Sequence, residues 1–300
     1  MIYPDFRRPT LEDKELIQSH LAMAPERSCD RTFANIYLWA KHYKVDFGVF
    51  GDVILFHDKR KKYKFAFPAG THENARKAII ELMKMAEEEG EEFSLYGITR
   101  EQFDVLEEWF PGKFQIEYNR DLSDYVYETE KLQSLKGKSY HGKRNYINRF
   151  KINFQDNWQY EKLTDDNVED CFQMALKWRN LNGCDDDPDK NAEMSVAMNS
   201  LRLFHELELE GCLIRANGEV VAFAMGEQVT EDTFIVHIEK AFSAVEGAYA
   251  IVNQQFVENN MIGRFKYVNR EEDVGQEGLR IAKTSYKPIF LIDKGLVTIR

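Results

Sequence analysis

Apolar residues recur along the first third of the chain with a period that changes from helical to strand-like. Between Thr32 and Tyr43 they return every third or fourth position, which predicts an amphipathic helix. Short runs at 46–50, 53–57 and 64–67, with turn residues between them, predict an antiparallel meander. The pattern then predicts a helix ending at Glu89, a strand at 93–96, a helix at 101–109 and a strand pair at 114–118 and 125–128.

The same order of elements returns after residue 155. The pattern predicts a strand at 158–162 and then two helices, which end near residues 180 and 209. Alternating runs predict a second meander, whose first turn, Asn217-Gly218, favours a hairpin. The meander strands are expected at 212–216, 220–228 and 233–242, followed by a helix at 247–260, a strand at 264–268, a helix at 278–286 and a strand pair at 289–292 and 296–299.

This order of helices and strands resembles the GNAT N-acetyltransferase fold, used twice. The predicted fold class is α+β, with two tandem GNAT-like (acyl-CoA N-acyltransferase) domains, each a mixed, mostly antiparallel sheet flanked by helices. We place the domains at residues 1–130 and 156–300, joined by a basic linker helix at 131–155. The second domain carries the motifs with chemical content and is expected to hold the functional site.

Composition points to a cytoplasmic globular protein. Of the 300 residues, 43% are hydrophobic, but the longest apolar run spans about six residues, far fewer than the roughly 20 of a membrane span. The N-terminus has no apolar stretch of secretory type, and the four cysteines show no paired spacing. We therefore expect reduced thiols, no signal peptide and no membrane span.

The net charge of −11 hides one strongly basic segment. Residues 136–151 carry +6 and no acidic residue, which leaves −17 for the rest of the chain. Aromatic residues are interleaved with the basic ones, a pattern typical of polyanion binding by charge neutralisation and stacking. A solvated linker helix explains the segment equally well. The candidate polyanion-binding residues are Lys136, Lys138, Lys143, Arg144 and Arg149.

Sequence motifs of several common enzyme classes are incomplete in this chain. Gly137-Lys138-Ser139 lacks the first glycine of a P-loop, and His205-Glu206 lacks the second histidine of a zinc protease. The aspartates at 185–189 lack the glycine and the closing glutamate of a calcium loop. We expect no metal site and no tightly bound cofactor.

Two neighbouring segments of the second domain are candidates for chemistry. Alternation places His237 and Glu239 on one face of a strand, where a carboxylate must be paired or functional. Gly247 opens the next helix and could expose backbone N–H groups to an anion, with Tyr249 and Asn253 beside it. The competing interpretations are a structural ion pair at Glu239 and an ordinary helix start at Gly247.

A polar, glycine-rich turn follows the strand at 264–268. Its acidic and amide side chains lie at the carboxyl end of a strand, where α/β folds bind ligands, and basic residues follow at three-residue steps on a short helix. A purely structural turn rarely needs so many polar types. The candidates are Asn269, Glu271, Asp273, Arg280, Lys283 and Tyr286.

Taken together, these segments resemble the soluble bacterial branch of the phosphatidylglycerol lysyltransferase C-terminal domain family. The similarity rests on the basic segment, the His-Ile-Glu-Lys-Ala strand at 237–241 and the Asn-Arg-Glu-x-Asp turn at 269–273 with its following helix. The resemblance implies tandem GNAT-like domains, as in peptidoglycan aminoacyltransferases. It also implies transfer of an aminoacyl group from aminoacyl-tRNA, and the sequence predicts none of the N-terminal membrane helices that the lipid-modifying relatives carry.

The leading hypothesis is therefore acyl or aminoacyl transfer to an amine or hydroxyl, with acyl-CoA or aminoacyl-tRNA as co-substrate. By GNAT analogy, Glu239 is the expected base and Tyr286 the acid or orienting donor. Arg280 and Lys283 would bind donor phosphates or an oxyanion, and the acidic turn would hold a small-molecule or peptidoglycan-precursor-like acceptor. The basic segment would contact tRNA if tRNA is the donor.

A non-catalytic module is the alternative. A GNAT-like pair could bind an amino acid, a nucleotide or a tRNA end as a sensor without turnover. The pyrophosphate-binding loop of acetyltransferases is only half present around Gly247, which favours this alternative slightly.

Overall fold

A computed structural model describes residues 2–300, which form two compact units. The first unit contains the chain up to Tyr125 together with residues 272–280 and 291–300. The second contains Val126–Glu271 and Ile281–Phe290. The predicted domains are continuous in sequence, whereas each of these units also includes a separate segment or segments from the end of the chain. Among residues 2–300, no helix combines the length and apolar character needed to cross a bilayer.

The first unit is built on a mixed sheet. Strands β1 and β2 pair antiparallel, β3 joins β2 antiparallel and β4 parallel, and β11 closes on β4 antiparallel. The amphipathic helix α3 is capped by Thr71 and buries Ile79 and Leu82 in a core with Phe65 and Leu95. The elements are α1 Lys14–Leu21, α2 Phe33–Tyr43, β1 Val45–Phe50, β2 Val53–Asp58, β3 Lys64–Phe65, α3 His72–Glu89, β4 Ser94–Thr99, α4 Arg100–Trp109, β5 Phe114–Glu128 and β11 Phe290–Ile299.

The second unit repeats this design. Strands β6 to β9 form an antiparallel meander, β10 joins β9 in parallel, and the last residues of β5 pair antiparallel with β10. The elements are α5 Thr129–Ser134, α6 His141–Phe154, β6 Trp158–Lys162, α7 Val168–Leu181, α8 Pro188–Arg202, β7 Glu210–Ala216, β8 Glu219–Thr230, β9 Thr233–Ala241, α9 Ala248–Asn260, β10 Tyr267–Asn269 and α10 Glu277–Ser285, whose residues 277–280 belong to the first unit. Both units are mixed, mostly antiparallel sheets with helices, so the predicted α+β class is confirmed.

Three sequence predictions about elements are wrong. The two predicted closing strand pairs are single strands, β5 of 15 residues and β11 of 10 residues. Polar residues in the middle of each strand resemble a turn, but in β11 the polar Lys294 is buried among carboxylates. Helix α8 ends at Arg202 rather than near 209, and the short helix α5 was not predicted.

Candidate functional site

Glu239 lies on β9, in register with Ala224 of β8, and its side chain is only 13% exposed. Both carboxylate oxygens accept hydrogen bonds. Arg270, directly after β10, donates from Nη2 to Oε1 at 2.9 Å, and Asn253 of α9 donates from Nδ2 to Oε2 at 3.1 Å. Because β9 and β10 are adjacent parallel strands, the sheet itself brings Arg270 to Glu239.

Two buried polar atoms of this arrangement are left unsatisfied. Within residues 2–300, neither Arg270 Nη1 nor Asn253 Oδ1 has a hydrogen-bond partner. One is a donor and the other an acceptor, and both belong to side chains anchored on Glu239. Buried polar groups are ordinarily satisfied, so such atoms call for an explanation. We call Arg270 Nη1 and Asn253 Oδ1 the open pair.

Two cations share the ring of Tyr286. The Arg270 guanidinium carbon lies 4.8 Å from the ring centre, and Lys143 Nζ of α6 lies 4.0 Å from it. Burial and the nearby Arg270 charge lower the pKa of Lys143 to about 8, against a smaller opposing effect of Glu239. Burial raises the pKa of the Tyr286 phenol. We call Glu239, Arg270, Asn253, Tyr286 and Lys143 the Glu239 cluster.

The backbone around Arg270 is held in place by two predicted site residues. Lys283 Nζ donates to the carbonyl oxygens of Arg270 at 2.6 Å and of Glu271 at 3.2 Å. Asn269 Oδ1 accepts from the Glu271 backbone N–H at 2.7 Å. Glu271 has a φ of 58°, a conformation that costs energy for a residue with a Cβ. These contacts fix the turn that presents Arg270.

His237 lies between two carboxylates. Its Nδ1 is 2.7 Å from Glu271 Oε1, and its Nε2 is 3.0 Å from Glu227 Oε1. Burial lowers the pKa of His237, but the hydrogen bonds to Glu227 and Glu271 outweigh it and raise the pKa to about 10. The imidazolium therefore donates from both nitrogens and secures Glu271, the residue after Arg270.

Gly247 starts α9 with a φ of 84° and touches α6 closely. A Cβ at this position would meet the Tyr146 carbonyl oxygen at 2.3 Å and Phe150 Cβ at 3.0 Å. Gly247 therefore packs directly against α6, and its role in binding an anion remains a prediction. Tyr249 is 39% exposed, and Asn253, one turn further along the helix, belongs to the Glu239 cluster.

Asp273 and Arg280 belong to the first unit and are paired there. Asp273, fully buried, accepts from Tyr125 Oη at 2.5 Å, from the Gly275 N–H at 2.9 Å and from two nitrogens of Arg280. Arg280 also donates to Asp121 at 2.6 Å. Burial raises the pKa of Asp273, but hydrogen bonds from Arg280 and Tyr125 dominate and lower it. Their proposed roles in binding acceptor and donor remain predictions.

The basic segment divides by environment. Lys136 and Lys138 are exposed, whereas Lys143 is half-buried in the Glu239 cluster. Arg144 donates to the carbonyl oxygens of Leu135 and Gly137 and lines a depression of about 500 Å³ with Gly137, Lys138 and His141. Arg149 pairs with Glu246 at 2.6 Å. None of the residues lining the depression belongs to the Glu239 cluster.

In the first unit, a second buried polar group has ligand-like chemistry. Cys29, Asp124 and Glu272 bring one potential metal ligand each within 4.8 Å of one another. Lys294 Nζ lies among them, 2.7 Å from Asp124 and 3.2 Å from Cys29 Sγ. Burial lowers the pKa of Lys294, but Asp124 and Asp30 more than compensate and raise it, so an ammonium occupies the place of a cation.

The comparisons with known proteins agree with this fold. The family model described as phosphatidylglycerol lysyltransferase, C-terminal, matches residues 21–296. The chain belongs to this family. The family predicted from the sequence is therefore confirmed, together with the GNAT-like fold class.

A conserved protein of Bacteroides thetaiotaomicron VPI-5482, whose function is unknown, is similar to this family member, with 32% identity and a TM-score of 0.88 over 99% of this chain and all of that one. L-PGS from Bacillus licheniformis shares the fold, with a TM-score of 0.62 and 14% identity over 95% of this chain and 91% of its own. An uncharacterised protein of Mycoplasmoides gallisepticum is 24% identical over 200 residues. That alignment spans 64% of this chain and 61% of the relative.

Three residues that the structure places at the site were not predicted from the sequence. Arg270 was quoted in the motif but given no role, although it stands between Asn269 and Glu271. Glu227 is the second partner of His237, and Tyr127 lies 5.8 Å from the Arg270 guanidinium. Only Arg270 had a local signal, because the other two reach the site by strand pairing.

Proposed function

We propose that this family member transfers an aminoacyl group from aminoacyl-tRNA to an amine or hydroxyl acceptor at the Glu239 cluster. The open pair is the observation that carries the proposal. An aminoacyl ester offers a carbonyl oxygen that can accept from Arg270 Nη1 and an α-amino group that can donate to Asn253 Oδ1. The family's description as phosphatidylglycerol lysyltransferase supports the same chemistry.

In this account Arg270 stabilises the transition state. Attack on the ester carbonyl places negative charge on its oxygen, and a buried guanidinium N–H aimed at that oxygen lowers the barrier. Glu239 holds Arg270 and Asn253 in position, since both of its oxygens are engaged by them. It is therefore proposed as a positioning residue rather than as the base.

The choice of donor rests on two features. Gly247, where an acetyltransferase would be expected to hold the pyrophosphate of acyl-CoA, packs against α6, and the glycine loop around it is only half present. Lys136 and Lys138 are exposed beside a depression that Arg144 and His141 also line, which suits contacts to an RNA backbone. These features favour aminoacyl-tRNA over acyl-CoA. The acceptor is proposed to be a small molecule or peptidoglycan-precursor-like amine or hydroxyl.

The test is to incubate the protein with a panel of charged tRNAs and, separately, acyl-CoAs, each with an amine-rich acceptor mixture. Loss of the donor ester and appearance of an aminoacylated acceptor are followed by mass spectrometry. We expect turnover with at least one aminoacyl-tRNA and none with acyl-CoA. Turnover with acyl-CoA alone contradicts the proposed donor, and binding of aminoacyl-tRNA without turnover supports a sensor instead.

A further inference from the structure

We propose that Lys143 carries the proton during this transfer, taking it from the acceptor and giving it to the leaving ribose oxygen. The inference rests on the proposed function. It assigns a catalytic role at that site to Lys143, which the charge pattern of the sequence placed among the polyanion-binding residues. Three observations support it: the position of Lys143, its partners and the geometry of its neighbours.

Lys143 lies on α6 within the second unit, turned toward the Glu239 cluster instead of toward solvent like Lys136 and Lys138. Its Nζ is 4.0 Å from the centre of the Tyr286 ring, and the Arg270 guanidinium carbon is 4.8 Å from the same centre. A ring face attracts the ammonium without accepting a proton from it. The amine is thus held beside Tyr286, with Arg270 and Glu239 as the charged groups that act on it.

The charged groups that face Lys143 set its proton affinity. Arg270, at the end of β10, disfavours the ammonium, and Glu239 on β9 favours it less strongly. Tyr286, after α10, stays a neutral phenol because burial raises its pKa. Burial and Arg270 together bring the pKa of Lys143 to about 8, where the residue can both accept and release a proton near neutral pH.

Lys143 alone can account for both proton transfers of the reaction. As the acceptor N–H or O–H bond breaks and the new bond to the carbonyl carbon forms, the neutral Lys143 amine takes the proton. As the bond between the carbonyl carbon and the ribose oxygen breaks, Lys143 returns the proton to that oxygen. The products are the aminoacylated acceptor and the free ribose hydroxyl, and Lys143 is again neutral.

Lys143→Arg separates this role from polyanion binding. Arginine keeps the positive charge but cannot lose its proton, so contacts to RNA survive and proton transfer does not. We expect kcat to fall about 100-fold or more with little change in the KM for tRNA. Wild-type kcat should rise about tenfold per pH unit below pH 8 and level off above it, and this inflection should vanish in the variant.

Lys84→Arg is the matched control, since it makes the same change at an exposed lysine of α3, outside the basic segment. It should leave kcat and the pH profile unchanged. A second measurement needs no variant: the pH dependence of Lys143 acetylation by an amine-reactive reagent, read by mass spectrometry, should show half-reaction near pH 8, well below that of Lys138.

The outcomes distinguish the two proposals. A Lys143→Arg protein with wild-type kcat and an unchanged pH profile, or acetylation of Lys143 that follows Lys138, overturns the role of Lys143 while the transfer activity stands. A wild-type protein that consumes no aminoacyl ester contradicts the proposed function and the proton transfer with it.

Discussion

Arg270 Nη2 lies 2.9 Å from Glu239 Oε1, and the two side chains are 11% and 13% exposed. A buried ion pair of this kind contributes little net stability, because desolvation offsets the attraction between the charges. The contribution of the ion pair is instead to fix the position of the Arg270 side chain. The pair holds the second guanidinium nitrogen, Arg270 Nη1, in a buried position without a hydrogen-bond partner among residues 2–300, and the proposed function supplies a partner for it.

Removing one partner of this pair should destabilise the protein strongly. Glu239→Gln or Arg270→Gln leaves a buried charge without its counter-ion, which costs about 3–5 kcal/mol. The loss of stability in the double variant should be smaller than the sum of the two single losses. The difference should be on the order of 1 kcal/mol or more, as expected for residues in contact. Urea unfolding of the four proteins measures this, and strictly additive losses would argue against the ion pair.

Gly247 should be required for packing rather than for a ligand. Gly247→Ala combines a left-handed backbone with a clash against the Tyr146 carbonyl, and we expect a loss of about 3 kcal/mol in the free energy of unfolding. Gly263→Ala is the matched control. Its φ is 76°, but a Cβ there meets nothing within 4 Å, so the cost should be about 1 kcal/mol. Equal losses would show that α6 does not press on Gly247.

The His237 imidazolium predicts a pH-dependent stability. The pKa of His237 is raised to about 10 in the folded chain, from its usual value of 6.5, so folding takes up a proton between these limits. Its contribution is complete below about pH 6.5 and is lost as the pH approaches 10. The stability difference between wild type and His237→Gln should therefore shrink across this window by on the order of a few kcal/mol. A difference that stays constant would mean a neutral ring.

The exposed lysines should govern affinity for tRNA and not the chemical step. Lys136→Ala and Lys138→Ala should each raise the KM for aminoacyl-tRNA several-fold and reduce the salt dependence of binding by about one ion, with kcat unchanged. Lys84→Ala, on an exposed position of α3, is the control and should change neither quantity. Lysine variants that leave the salt dependence intact would remove the basic segment from the tRNA contact.

The sequence was informative where the pattern of apolar positions decides the structure. Helices α2 and α3 and the meander strands follow directly from periodicity, because one face of each must be buried. Strand β11 was predicted as two strands because the polar Lys294 in its centre resembles part of a turn. Its burial depends on Asp124 and Asp30, which lie far away in the sequence and cannot be paired with it by a local pattern.

The candidate site shows the same limit. Alternation placed His237 and Glu239 on one strand, as the structure does, whereas the binding site predicted at the polar turn from Asn269 to Asp273 stays a prediction. The contacts that each residue of the turn makes could not be predicted from residue types. Lys283 binds backbone carbonyl oxygens. Lys143, on α6 in the predicted basic linker, instead lies in the Glu239 cluster.

The rate of aminoacyl-ester consumption in a single turnover tests the central claim most directly, comparing Arg270→Lys with wild type. Lysine preserves the charge near Glu239 but removes Nη1, the nitrogen proposed to bind the ester carbonyl, so we expect the rate to fall about 100-fold or more at saturating donor. Arg215→Lys, which alters the partly buried Arg215–Glu161 pair of the same unit, should keep the wild-type rate. An Arg270→Lys protein that consumes the ester as fast as wild type would contradict the assignment of the transfer reaction to the Glu239 cluster.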